Sequence, residues 1–115
     1  MEFAVSREGT TLVTLHGGSD TTACKDAVAE LEDALESLAA EGVLVDWAIP
    51  DAEVHEPPSA PFDPYTIAVE FSLVVTVEAE DADEAGDRGA EAIDDALAAA
   101  DVDSITYSTS PTASA

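Results

Sequence analysis

The sequence predicts an α+β sandwich, with two helices packed on one face of an antiparallel sheet, and three observations lead there. Residues 65–80, YTIAVEFSLVVTVEAE, alternate apolar and polar side chains with the period of a half-buried strand. Residues 21–41 and 81–100 each carry an apolar stripe at helical spacing. Shorter alternating runs lie before, between and after these segments, so strands and helices interleave along one short chain.

Residues 2–16 open the chain as strand material. EFAVS and TTLVTLH flank Arg7-Glu8-Gly9, which reads as a turn, so the segment is either a hairpin or one bulged strand. HGGSD follows. Gly17 and Gly18 reverse the chain, and Ser19 or Asp20 supplies the N-cap of a helix over 21–41. Its stripe is Cys24, Ala27, Val28, Leu31, Leu35 and Leu38, and Gly42 ends it.

In VLVDWAI, residues 43–49, the side chains of Val43, Val45, Trp47 and Ile49 share one face of a strand. The next segment holds Pro50, Pro57, Pro58, Pro61 and Pro64, which forbid a helix or a central strand and predict a long loop over 50–64. In the main strand, Ile67, Val69, Phe71, Leu73, Val75, Val77 and Ala79 line one face. At about 3.3 Å per residue it extends roughly 50 Å, so it must either bend or project. Asp81 and Glu84 form a capping-box start to the second helix, whose stripe is Ala82, Ala85, Gly89, Ile93, Ala96, Leu97 and Ala100. A last strand over 102–108 leaves 109–115 as a frayed polar tail. The order is that of a ferredoxin-like split β-α-β sandwich in one domain, 1–108; a sandwich with a meander is the other arrangement it allows.

The charge is extreme. Twenty-six Asp and Glu oppose three basic residues, Arg7, Lys25 and Arg88, for a formal net charge of −23. Such a chain repels itself at low ionic strength. At 1 M salt the Debye length falls to about 3 Å and the repulsion is largely screened. The acids are spread along the chain, whereas an acidic tail would gather them at one end. With abundant Asp, Glu, Ala, Val and Thr and almost no Lys, the composition resembles that of proteins from salt-accumulating archaea and their viruses. The resemblance implies the cytoplasm of such a cell, or a virion, with salt cations held non-specifically.

Most chemistries find no support. His16-Gly17-Gly18-Ser19 stands at a helix start, yet no G-x-S-x-G elbow and no Gly-Lys-Ser/Thr phosphate loop accompany it. His16, Cys24 and His55 match no zinc spacing, and residues 80–87 lack the ligands of a calcium loop. No cofactor is expected. Glu70 and Glu78 lie on a polar strand face, where a carboxylate gains none of the raised pKa that general-acid work needs. Cys24 falls on the buried stripe as a small apolar residue. Three cations cannot track a phosphate backbone, so nucleic acid is excluded as a direct partner. Nor do Trp47 and Phe71 form a base-stacking platform, because they share the faces that meet the helices. No basic amphipathic helix suggests a membrane surface.

Protein partners remain. A long strand with an unpaired edge invites strand addition. The proline-rich segment carries Val54, Pro58, Pro61 and Phe62 and ends at Tyr65, which together form a candidate docking arm with Phe62 as its anchor. The sequence therefore points to a non-enzymatic structural or assembly protein. It would form a homo-oligomer or larger assembly through strand edges and this arm, a virion tail or head–tail component being one instance. A small-ligand-binding regulatory domain is the alternative, and a metal-dependent enzyme the weakest reading.

Overall fold

The computed structural model describes residues 1–60, 63–102 and 104–114. Seven elements follow in order: β1 (Glu2–Leu15), α1 (Asp20–Ala40), β2 (Asp46–Glu56), β3 (Tyr65–Glu78), α2 (Ala82–Ala99), β4 (Ile105–Tyr107) and β5 (Thr112–Ser114). The sheet order is β2-β3-β1-β4, with β5 beside β4 on the same edge of β1. Every pairing is antiparallel. Hence β1 and β2 run parallel with β3 between them, as the split β-α-β arrangement requires, and the α+β sandwich is consistent with the ferredoxin-like plan.

The first segment is one strand, not a hairpin. β1 and β3 pair from Glu2↔Glu78 to Leu15↔Tyr65 without interruption. Arg7-Glu8-Gly9 is therefore strand, and Gly9 has a packing role. It pairs with Phe71 on one side and Tyr107 on the other. A Cβ there would lie 3.0 Å from the Phe71 ring, 3.0 Å from Thr106 O and 3.2 Å from the Tyr107 ring. The two rings meet edge to face above it, with centroids 6.4 Å apart and planes at 83°. Nor does the long strand bend or project. β1 accompanies β3 along its full length, and together they set the 54 Å long axis.

Odd-numbered residues of β1 and β3 face the helices. Phe3, Val5, Ile67, Val69, Phe71, Leu73 and Val75 are buried against Leu31, Leu35 and Leu38 of α1 and Ile93 and Leu97 of α2. The α1 stripe is rotated slightly from expectation: Ala23 is buried, while Cys24 and Val28 are only half-buried. α2 makes a close approach at Gly89, where a Cβ would stand 2.4 Å from a Val5 methyl.

The helix ends explain two boundary differences. At α1 the Val43 N–H donates to Leu38 O (2.9 Å) and the Gly42 N–H to Ala39 O (3.0 Å), with Gly42 at φ +81°. This Schellman motif occupies the residues expected to start β2. Leu44 is buried, Val43 and Val45 are exposed, and the strand begins at Asp46. α2 ends the same way, with Val102 N–H to Leu97 O and Asp101 N–H to Ala98 O, and Asp101 takes the left-handed position (φ 61°).

The predicted loop over 50–64 is half strand. β2 continues through Pro50 to Glu56 as an edge strand. The pairing shifts by one residue between Ala48 and Asp51, and again between Val54 and Glu56. Proline is tolerated because the edge tolerates a bulge. The bulge also changes the phase of burial: Trp47 and Ile49 are half-buried before it, Ala52 and Val54 after it. The expected frayed tail is likewise ordered in part, since β5 pairs Ala4↔Ser114 and Ser6↔Thr112 on β1.

The core beneath the helices and the bare face of β3 should respond differently to mutation. Leu35→Ala, at a fully buried site, is expected to cost about 2–5 kcal/mol in urea unfolding. Ser72→Ala, on the bare sheet face, is expected to cost well under ~1 kcal/mol. Equal losses would contradict the register.

Candidate functional site

Three regions bear on function: a cleft beside the end of β1, an aromatic–carboxylate cluster on the β4 edge, and the sheet face without helices. The cleft arises because β1 outlasts its neighbour. β4 pairs only Gly9, Thr10 and Thr11 of β1, and the Leu12 N–H reaches Ser104 O at 3.3 Å. Beyond that point no strand among the described residues pairs this edge of β1. A cavity of about 660 Å³ opens there, walled by Val13 and Thr14 of β1, Glu30, Leu31 and Ala34 of α1, and Ala100, Asp101, Val102 and Ser104 after α2. Glu30 and Asp101 place carboxylates at its mouth, and both are exposed.

The cluster surrounds Tyr107. Its hydroxyl donates to Asp94 Oδ1 of α2, and the Arg7 guanidinium lies 3.6 Å from the centre of its ring. Arg7 Nε also reaches Thr109 O (3.4 Å), the Glu8 N–H donates to Thr109 Oγ1 (3.1 Å), and the Ser108 N–H to Glu8 O (3.0 Å). These bonds hold the start of the connection between β4 and β5 against β1. Burial pushes the Tyr107 pKa well up, the Asp94 hydrogen bond and charge push it further, and Arg7 opposes them weakly. A phenol so held is a poor base or nucleophile, which makes the cluster a clamp between α2 and the sheet edge. Tyr65, half-buried, is shifted the same way by desolvation and by its Asp20 neighbour.

The residues of the sequence-derived arm fall in different elements. Val54 lies in β2 and packs against the core, and Tyr65 opens β3 on the helix side. Pro58 is half-exposed in the connection between them. Pro61 and Phe62 lie outside the described residues. The glycine turn is as expected: Ser19 accepts from the Thr22 N–H (3.2 Å) and caps α1. His16 and His55 are exposed. Among the described residues no three His, Cys, Asp or Glu side chains gather as metal ligands. Among the described residues no helix is long and apolar enough to cross a membrane. Neither the cleft nor the Tyr107 cluster was anticipated. The signals were Gly9 inside an apolar alternation and a β1 run longer than the last strand.

On the bare face, Ser6, Thr10, Leu12, Ala68, Ser72 and Val74 form a small-residue, largely neutral centre. Glu2, Glu8, Glu70 and Glu78 share that face.

No family of known proteins matches the chain, and no curated protein does. Among solved structures it is similar to part of a hydantoinase/carbamoylase family amidase from Burkholderia ambifaria, at 17% identity and a TM-score of 0.38. The likeness covers 97% of this chain and 28% of the amidase chain, and carries nothing about activity.

Tyr107 predicts a specific alkaline response. The unfolded phenol ionises near pH 10, whereas the folded one holds its proton to higher pH. Between those values the folded state binds more protons, so stability falls as pH rises above about 10. Tyr107→Phe should flatten that fall in thermal melts. A slope unchanged by the substitution contradicts the Tyr107–Asp94 hydrogen bond.

Proposed function

We propose that the chain is a non-enzymatic assembly protein for a high-salt setting, a cell interior or a virion, and that it acts by binding other protein chains. The observation that carries this reading is the bare sheet face. Its centre is small and neutral, it runs the length of the long β1–β3 pair, and the helices leave it uncovered. Surfaces of that kind suit protein contact better than chemistry. The outer edge of β2 is a weaker candidate, because Pro50, two bulges and several acids blunt it against strand pairing. A small-ligand role draws on the cleft beside β1 and is the second reading.

The high-salt element is supported by how the acids are placed. Every described Asp and Glu is exposed except Glu84, which is half-buried and pairs with Arg88 at 2.7 Å. The N-terminus meets Glu78 at 3.4 Å. Like charges stand one turn apart at Asp26–Glu30, Glu32–Glu36, Asp87–Glu91 and Glu91–Asp95. Neither helix has a basic residue in its last turn. Salt relieves all of these repulsions and demands no change in the core.

Lowering KCl from molar to millimolar should therefore lower the thermal midpoint by several degrees. A midpoint that stays put contradicts the high-salt reading. Assembly is tested separately by sedimentation in molar KCl. A multimer is expected, and Val74→Lys should reduce it to monomers with an unchanged circular dichroism spectrum. A monomer at every concentration that also captures nothing from its source lysate contradicts the assembly reading.

A further inference from the structure

We propose that the free edge at the end of β1 is a strand-addition site for an extended, basic segment of another protein. The inference rests on the assembly reading above and names its partner.

The backbone supplies the first argument. Within a strand, the N–H and C=O of one residue point to the same side, and successive residues alternate. The Glu8 carbonyl and the Leu12 N–H both bond toward the β4–β5 edge, so even-numbered residues of β1 face that edge. Thr14 is next in that series. It directs its N–H and C=O into the cleft, past the last rung, where no strand among the described residues lies along that edge of β1. An added strand would continue the line of β4 and satisfy these groups, as extended peptides do on sheet edges generally.

The walls supply the second argument. Leu31, Ala34 and Val102 give an apolar surface for the side chains that such a strand turns toward the helices. Glu30 and Asp101 border the same space. Among the described residues no basic side chain lines the cleft, so its field favours a segment carrying Lys or Arg. The same charge argues against a second copy as the occupant, because a chain of net charge −23 brings acids to an acidic slot. Backbone pairing provides the affinity, and the two carboxylates provide the selection.

The test uses the full chain in about 0.15 M KCl, where a Debye length near 8 Å leaves the field of the slot only partly screened, and a fluorescent, acetylated short peptide alternating valine and lysine, with a valine–glutamate peptide as its counterpart. Fluorescence anisotropy should show the lysine peptide binding roughly ten-fold or more tightly than the glutamate peptide, a factor equal to about 1.4 kcal/mol. Thr14→Pro removes the N–H that faces the cleft without touching a β1–β3 bond, and should abolish binding while circular dichroism stays unchanged. Glu30→Gln with Asp101→Asn should keep binding but erase the preference. If Thr14→Pro fails to fold, Ala34→Glu, which places a third carboxylate in the wall, should instead strengthen the preference for lysine. Binding of neither peptide, or equal binding of both, overturns the proposal. Sedimentation without peptide separates the two readings. A multimer unaffected by Thr14→Pro, with no peptide bound, rejects the slot and leaves assembly standing. A monomer that binds the lysine peptide keeps the slot and rejects self-assembly. A multimer that Thr14→Pro dissolves makes a second copy the occupant and overturns the basic partner.

Discussion

The uninterrupted pairing of β1 with β3 is the constraint on which the rest of the structure depends. It puts the odd residues of both strands on one face along their whole length, and a shift of one residue would turn that face to solvent. Both helices read their packing from it. α2 can lie close to the sheet because Gly89 meets Val5, and the rings of Phe71 and Tyr107 can touch because Gly9 lies between them. The same pairing exposes the functional features. Where β1 continues past β4, an edge is left open; where the even residues point away from the helices, a neutral face is left bare.

The charge is organised around this core without entering it. Acids occupy outward positions of both helices and the rims of the sheet, and among the described residues the buried positions are apolar apart from Thr11. Packing and electrostatics are thus nearly separable in this chain. The core answers to volume and register, while the surface answers to ionic strength. Each basic residue has a restricted setting. Arg7 lies over Tyr107, Arg88 joins Glu84 and Glu78 O, and Lys25 borders a shallow groove with Cys24, Val28 and Ala52.

Much of this architecture was legible in the sequence. The alternation from Ile67 to Val77, the stripes of both helices and the caps at Ser19 and Asp81 are local signals, realised with small differences: α1 turns Ala23 inward and leaves Cys24 and Val28 half-buried, and Ala82 of α2 is exposed. The features that were not legible depend on neighbours far along the chain. Gly9 resembles a turn residue until Phe71 and Tyr107 flank it. Val43 and Val45 alternate like a strand, but the Schellman motif of α1 claims the first of them. Pro50 looks like the end of a strand and proves to mark a bulge within an edge strand. Thr112 to Ser114 have no apolar signature at all, and become a strand only because β1 offers them an edge. The cleft was invisible for the same reason, since it consists of the difference in reach between β1 and β4.

Native-state hydrogen exchange on β1 tests this account most directly. Odd-numbered amides of β1 face β3, so the Arg7 and Gly9 amides should be as strongly protected as those of Val5 and Thr11, while Thr14, facing the open cleft, should exchange fast. Rapid exchange at Arg7 and Gly9 between protected neighbours would mean a hairpin in place of the single strand, and would remove the register on which the sheet face and the open edge both rest.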